Sequence, residues 1–302
     1  MYLPASGKPL ATVLQLSPYW NTAKGPGESQ AGNEAVKPFL DAGFAVALVN
    51  LRGTGESDGC FQWGSRTDWS DASRVVGALA SQPWSNGSVG MYGTSYEGWS
   101  QYMAMAQPPQ ALKAAAPISG VIDVWSLVTR RGAPIAVGPV ASTQFGLLTS
   151  FVDPEPALVA HVNCGEYAEH LAEGIGLVAT GDRTPYYEQR DLRSQIRRSP
   201  VAVLMANGLQ YFGEGHTQQF EGLWGRLRSD RTRFMLGQWA HGGKRADFNA
   251  LAVGWLTTIC AAARRPRGRA SSSIRTTPAP GTSPRAGRRP RPAARCTSPK
   301  AA

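Results

Sequence analysis

The chain has 302 residues, 42% of them hydrophobic, so it can bury a full core and is longer than an average single domain. Its formal charge of +10 is unevenly placed: residues 257–302 carry ten Arg and one Lys with no acid, a net of +11, which leaves −1 for residues 1–256 and argues against a nucleic-acid binder in the folded part. No apolar run of about 18 residues is available for a membrane helix, and the cysteines at 60, 164, 260 and 296 form no C-x-x-C pair, which excludes a zinc cage or redox motif of that type.

In chain order, the spacing predicts a first strand over Ala11–Leu16 and a helix over Asn33–Asp41 that Gly43 ends. Phe44–Leu51 is a near-continuous apolar run, as expected of a strand covered on both faces of a parallel sheet. The glycine-rich RGTGESDG at 52–59 does not fit a dinucleotide fingerprint, because its glycines fall at 53, 55 and 59 and no helix opens there. Asp68–Ala80 supplies a crossover helix, with Trp69, Val75, Val76 and Leu79 on its apolar side. Ser88–Tyr92 then reads as a buried strand, GTSYEG at 93–98 as a tight turn, and Tyr96–Ala106 as a helix stopped by Pro108 and Pro109. A further short strand is expected at Ala114–Ile118.

From Asp123 to about Arg190 the pattern becomes helical, interrupted by Pro134, Pro139, Pro154 and Pro156, and we read it as a cap inserted over the carboxyl edge of the sheet. Val201–Ala206 resumes the sheet, helical spacing returns at Phe220, Leu223, Trp224 and Leu227, and Thr232–Leu236 is the last strand, followed by the loop QWAHGGK. Past Leu256 periodicity vanishes into Arg, Pro, Ala, Ser and Thr, a composition too poor in aliphatics to fold. The expected organisation is α/β: a mostly parallel sheet with helices on both faces (1–122 and 191–256), an inserted helical cap (123–190) and a disordered basic tail (257–302).

The chemistry centres on the turn at 93–98. A strand that bends sharply into a helix lifts the turn residue clear of the sheet, which makes Ser95 the expected nucleophile. The pattern departs from G-x-S-x-G, with Glu97 where the second glycine usually stands and Gly98 one place later; the competing reading makes Ser95 a helix cap. A serine hydroxyl needs a base held by an acid, in the chain order Ser, acid, His. His161 and His170 fall in the cap and read as packed or solvated helix residues, and His216 opens a helix, whose dipole disfavours an imidazolium. His241, in a glycine-flanked loop after the last strand, is the expected general base. Between the strand ending at Ala206 and the next helix, Glu214 is the one carboxylate, with Glu221 and Asp230 as remote substitutes and a missing acid left open. The elbow also supplies the backbone N–H of Tyr96 to a developing oxyanion.

Four stretches in order carry a resemblance: LSPYW at 16–20, NLRGTGESDGCF at 50–61, GSVGMYGTSYEGWSQ at 87–101 and GQWAHG at 237–242. Over roughly residues 1–256 the chain resembles the Xaa-Pro dipeptidyl-peptidase and cocaine-esterase family of serine hydrolases. The resemblance implies an α/β-hydrolase fold and acyl transfer through an acyl-enzyme, with either Xaa-Pro dipeptides or esters as substrates. It implies a second oxyanion donor in the hydroxyl of Tyr19, and it places the base at His241, with Gln238 replacing the family's proline. Where the family commonly has the triad aspartate this chain has Tyr211, which weakens the carry-over of the acid. The family normally has a strand or two before the Y-L-P segment and a β-sandwich after the core. The expectation is therefore a start inside a longer gene and a shifted reading frame after residue 256.

Expected partners are a small-molecule or short-peptide substrate, with no cofactor and no membrane; a homodimer stays open. As given, Met1-Tyr-Leu-Pro is not a leader, so the chain reads as cytoplasmic, with export open if the start is truncated. Cys60 and Cys164 would pair only in an exported protein and otherwise read as buried thiols. The competing functional reading is a truncated, catalytically impaired hydrolase fold whose basic tail binds anions.

Overall fold

Alternation of apolar side chains across each strand decides the layering. In the computed structural model, which describes residues 1–20, 35–55, 57–130, 132–134, 166–210, 231–242 and 245–261, the chain first builds β1 (Leu10–Ser17), α1 (Lys37–Asp41), β2 (Ala45–Asn50) and α2 (Arg66–Ala80). It continues with β3 (Ser85–Thr94), α3 (Tyr96–Ala106) and β4 (Leu112–Ile118). Next come α4 (Val124–Val128), the two-residue strands β5 (Thr129–Arg130) and β6 (Ala133–Pro134), then α5 (Glu166–Thr180), α6 (Pro185–Glu188) and α7 (Arg193–Ile196). β7 (Ala202–Gly208), β8 (Thr232–Gly237) and α8 (Arg245–Leu256) complete the described core, and a π-helical turn follows at Thr257–Ala261.

Six strands form one sheet in the order β2-β1-β3-β4-β7-β8, every neighbouring pair parallel. Every residue of β1, and of β7 likewise, is buried, as a strand covered on both faces requires. Leu14 and Leu16 of β1 pack with Trp69 and Val76 of α2 and with Trp99 and Met103 of α3. Ala11 and Val13, one residue out of phase, pack on the other side with Phe39 of α1 and with Phe248, Ala252 and Leu256 of α8. The sheet is thus sandwiched between two helical layers, the arrangement of an α/β-hydrolase.

The expected strands and helices recur with ends moved by up to three residues, apart from the first helix, whose start moves from 33 to Lys37, and α3 has the predicted limits. Residues 220–227 lie outside the described residues. One reading needs correction. The tail does not begin at 257: α8 runs on into the π turn, Cys260 is fully buried among the apolar side chains of the second layer, and its carbonyl accepts a bond from the Asn86 side chain at 3.4 Å. The sequence of this turn, TTICA, still carries two apolar side chains, Ile259 and Cys260, that composition averaged over the basic stretch conceals. For Cys60, where the sequence leaves a disulfide and a buried thiol both open, the structure has the disulfide, whereas Cys260 is a free thiol whose pKa burial pushes up to about 12.

Beyond β4 the chain leaves the sheet and returns through a narrow neck. Asp123 and Asp191 form an isolated antiparallel bridge, and the N–H of Leu192 donates to the carbonyl of Ile122 at 2.9 Å. Across it Arg183 bonds Asp123 (3.1 Å) and Asp191 (2.7 Å), while Arg193 reaches the same two carboxylates at 3.1 and 2.6 Å. Burial raises the Asp191 pKa, but the bonds and charges of Arg193, aided by Arg183, outweigh it and hold the carboxyl below its ordinary value. Asp123 is itself fully buried, so the two arginines compensate a charge that would otherwise be costly there.

Candidate active site

β3 is buried almost to its end, and the chain then reverses within one residue. Ser95 holds φ 66° and ψ −119°, a conformation that a side chain other than glycine adopts only under constraint, at a cost of about 1–3 kcal/mol. The constraint is visible on both sides. The N–H of Ser95 donates to Ile118 at the end of β4 (2.9 Å), and the N–H of Trp99 donates back to the carbonyl of Ser95 (2.9 Å). A Cβ on Gly98 would lie 2.8 Å from the Cα of Gly120 and 2.9 Å from the carbonyl of Ile118, so α3 approaches the β4 exit as closely as backbones allow. That glycine is needed at 98, and the space at 97 is filled by Glu97.

Ser95 occupies the N-cap position of α3 yet makes no side-chain capping bond. Its side chain instead lies close enough to Tyr19 to act on that hydroxyl, so the helix-cap reading does not describe it. Tyr19 follows β1, the strand beside β3. The Ser17 hydroxyl accepts its backbone N–H at 3.1 Å, and its ring meets that of Tyr96 edge-on at 6.3 Å between centroids. Burial, then the negative charge of Glu97, raise the Tyr19 pKa well above its ordinary value despite the opposing influence of Ser95, so this hydroxyl keeps its proton at any neutral pH.

The remaining expected residues lie along the same carboxyl edge or outside the described residues. His241 is solvent-exposed, four residues past the end of β8. Trp239 anchors its loop: the N–H of Gln210 donates to the Trp239 carbonyl at 3.1 Å, and Gly208 and Gly237, paired across β7 and β8, leave no room for a Cβ against Trp239. Glu214 lies outside the described residues, as do Glu221, Asp230, His216, His161 and Tyr211. His170 is a packed helix residue, as expected, with its ring nitrogens 2.7 Å from the Tyr186 hydroxyl and 3.3 Å from the Phe61 carbonyl.

A layer behind Ser95 escaped the sequence reading. Asp68, fully buried, accepts the Gly64 N–H at 2.6 Å, while its other oxygen has no hydrogen-bond partner among the described residues. Burial is the main cause that pushes its pKa up to about 7, with Asp71 adding and the Gly64 bond, Arg190 and Arg52 opposing. Arg190, also buried, donates to the carbonyls of Trp63 (3.0 Å), Tyr186 (2.8 Å) and Gln62 (3.2 Å) and stacks 3.5 Å over the Tyr186 ring. It ties the segment returning from the neck to the loop on which Trp99 of α3 rests, since a Cβ at Gly64 would fall 2.0 Å from the Trp99 ring. Arg190 is defined by partners far along the chain, Gln62 and Trp63, and Asp68, although bonded to nearby Gly64, owes its burial to packing that the local sequence does not reveal.

Comparison with known proteins agrees with this geometry. Residues 1–243 match the family described as X-Pro dipeptidyl-peptidase (S15 family). A Streptomyces avermitilis protein provisionally named as an Xaa-Pro dipeptidyl-peptidase is 26% identical over 69% of this chain and 33% of its own length. The cocaine esterase of a Rhodococcus species is 30% identical over 52% of this chain and 28% of its own. Among solved structures, a CocE/NonD family hydrolase of Staphylococcus aureus superposes with a TM-score of 0.64 at 19% identity, covering 86% of this chain and 47% of that one. An α-amino acid ester hydrolase gives 0.62 at 19% identity over 87% and 52%. The chain thus spans about a third of the length of the curated relatives it matches. By the extent of the match, which takes in both the Ser95 turn and the His241 loop, this chain belongs to the X-Pro dipeptidyl-peptidase (S15) family of hydrolases.

Proposed function

We propose that the protein is a serine hydrolase that cleaves ester or Xaa-Pro amide bonds through an acyl-enzyme on Ser95. The observation that carries this reading is the strained φ of Ser95 together with a side chain that makes no capping bond to α3 and lies beside Tyr19. In this mechanism the Ser95 oxygen attacks the substrate carbonyl as His241 takes its proton. The Tyr19 hydroxyl and the Tyr96 N–H donate to the oxyanion. His241 then returns the proton to the leaving amine or alcohol, and water hydrolyses the acyl-enzyme by the same steps. Glu214 holds the imidazole in one tautomer.

Sheet geometry supports the pairing of Ser95 with His241. Both residues stand at the carboxyl edge of the parallel sheet, Ser95 just past β3 and His241 four residues past β8, and Trp239 of the same loop already lies against Gly208 of β7, on the side of β8 that faces β3. Substrate choice between peptide and ester follows the names of relatives in both groups, the dipeptidyl-peptidase and the cocaine esterase.

A fluorophosphonate probe tests the reading: it should label the wild-type chain at Ser95, label Ser95→Ala not at all and label His241→Ala far more slowly. Hydrolysis of aryl esters against Xaa-Pro anilides then assigns the substrate class. A chain that folds but takes no label refutes the reading and leaves a hydrolase fold without its activity.

A further inference from the structure

We propose that Glu97 is a positioning residue that holds the turn presenting Ser95, an inference that rests on the reading of Ser95 as nucleophile. The turn has a donor to satisfy. Its entry residue, Thr94, lies at the end of β3, and its N–H donates to the Glu97 carboxylate at 3.1 Å. The bond resembles the reverse half of a capping box, in which an acid at the third helical position returns to the N-cap N–H, but it is set one residue earlier: Glu97, second in α3, reaches Thr94, the residue before the N-cap Ser95. The forward half, a side-chain hydroxyl bonded to a helix N–H, is absent here, since Ser95 makes no capping bond. Glu97 therefore ties the last residue of β3 to the first turn of α3 across Ser95, whose side chain makes no capping bond.

Packing ties the two glycines of the motif to this role. A Cβ on Gly93 would lie 2.4 Å from the Cβ of Glu97 and 2.6 Å from its carboxylate, so the Glu97 side chain folds back over position 93 and requires glycine there. Gly93 also holds φ 149°. In the common pattern, glycines at both 93 and 97 would let strand and helix approach each other. Here the helix contact is made by Gly98 against Gly120, which frees position 97 for a side chain that grips the turn. The Glu97 charge also contributes to keeping the Tyr19 hydroxyl protonated, a second influence on the same site. Glu97 is half-buried, and its carboxylate holds the backbone N–H of residue 94.

Three variants test this: Glu97→Gln, which keeps an acceptor of the same reach; Glu97→Ala, which removes it; and Glu97→Gly, which restores the common G-x-S-x-G pattern. Hydrogen exchange at the Thr94 amide should stay slow in wild type and Glu97→Gln and accelerate in the other two. The kcat for ester hydrolysis should fall about 10- to 100-fold in Glu97→Ala and Glu97→Gly with KM unchanged, the scale expected when a reacting group is misplaced, and recover to within about 3-fold in Glu97→Gln. Unchanged kcat in Glu97→Ala overturns the proposal, as does a change confined to KM or a Glu97→Gln as impaired as Glu97→Ala. Exchange is independent of turnover: if wild type takes no fluorophosphonate label while Thr94 protection still follows the Glu97 acceptor, the positioning role stands and the hydrolase reading alone falls. If protection does not follow the acceptor, the role of Glu97 falls whatever the activity.

Discussion

Replacing Tyr19 by Phe removes a single oxygen and tests the mechanism with little collateral change. The ring keeps its edge-on contact with Tyr96 at 6.3 Å, and the backbone N–H keeps its bond to the Ser17 hydroxyl. The side chain beside the lost hydroxyl is that of Ser95. One hydrogen bond between partly exposed hydroxyls is worth about 1 kcal/mol at most to the fold, so melting should shift by a few degrees or less. Loss of an oxyanion donor is a far larger effect, about 100- to 1000-fold in kcat, or about 2.7–4 kcal/mol of transition-state stabilisation. The raised pKa of Tyr19 adds a second expectation, since a hydroxyl protonated throughout the assay range donates equally at every pH. The ratio of wild-type to Tyr19→Phe rates should therefore be flat from about pH 6 to about pH 9. Steady-state hydrolysis of an aryl ester across that range, with thermal denaturation alongside, measures all three. A kcat within about 3-fold of wild type would show that Tyr19 only fills space.

Asp68→Asn should flatten the dependence of stability on pH. The folded pKa of Asp68 lies above its unfolded value, so its stabilising contribution is complete below about pH 4 and is lost as pH rises through about 7; three units correspond to roughly 4 kcal/mol, and denaturant titrations at the two ends of this window should show the slope in wild type alone. Gly98→Ala should destabilise by about 1–3 kcal/mol despite the better helix propensity of alanine, because the new methyl meets the Gly120 backbone; a higher melting temperature would contradict the close approach. Glu214→Gln should slow acylation severely with the circular dichroism spectrum unchanged, and an unaltered rate would exclude Glu214 as the triad acid.

The sequence by itself determined the layered α/β fold. Strands buried on both faces need apolar residues at most positions, and β1 and β7 wrote that pattern into contiguous residues, whereas β2, at the edge of the described sheet and expected to be covered on both faces, is buried only over Ala45–Ala47. It also located the Ser95 turn, because a strand, a short glycine-bounded turn and a helix are local features whose physics is complete within about twenty residues. The role of Glu97 was legible only as a departure from a pattern; its reason lies in the distance between Gly98 and Gly120, which no local window contains. The same holds for Asp68, Arg190 and the Asp123–Arg183–Asp191–Arg193 neck, where charges up to 70 residues apart meet because the chain returns to where it left the sheet. The end of the packed core moved for a related reason: Ile259 and Cys260 are too few to register in a composition, yet they complete the layer beneath β3 once α8 has been laid against the sheet. Hydrophobic periodicity and turn chemistry are properties of neighbours in sequence, while compensation of buried charge and the fit of backbone on backbone are properties of neighbours in space. Only the tertiary structure decides the second kind.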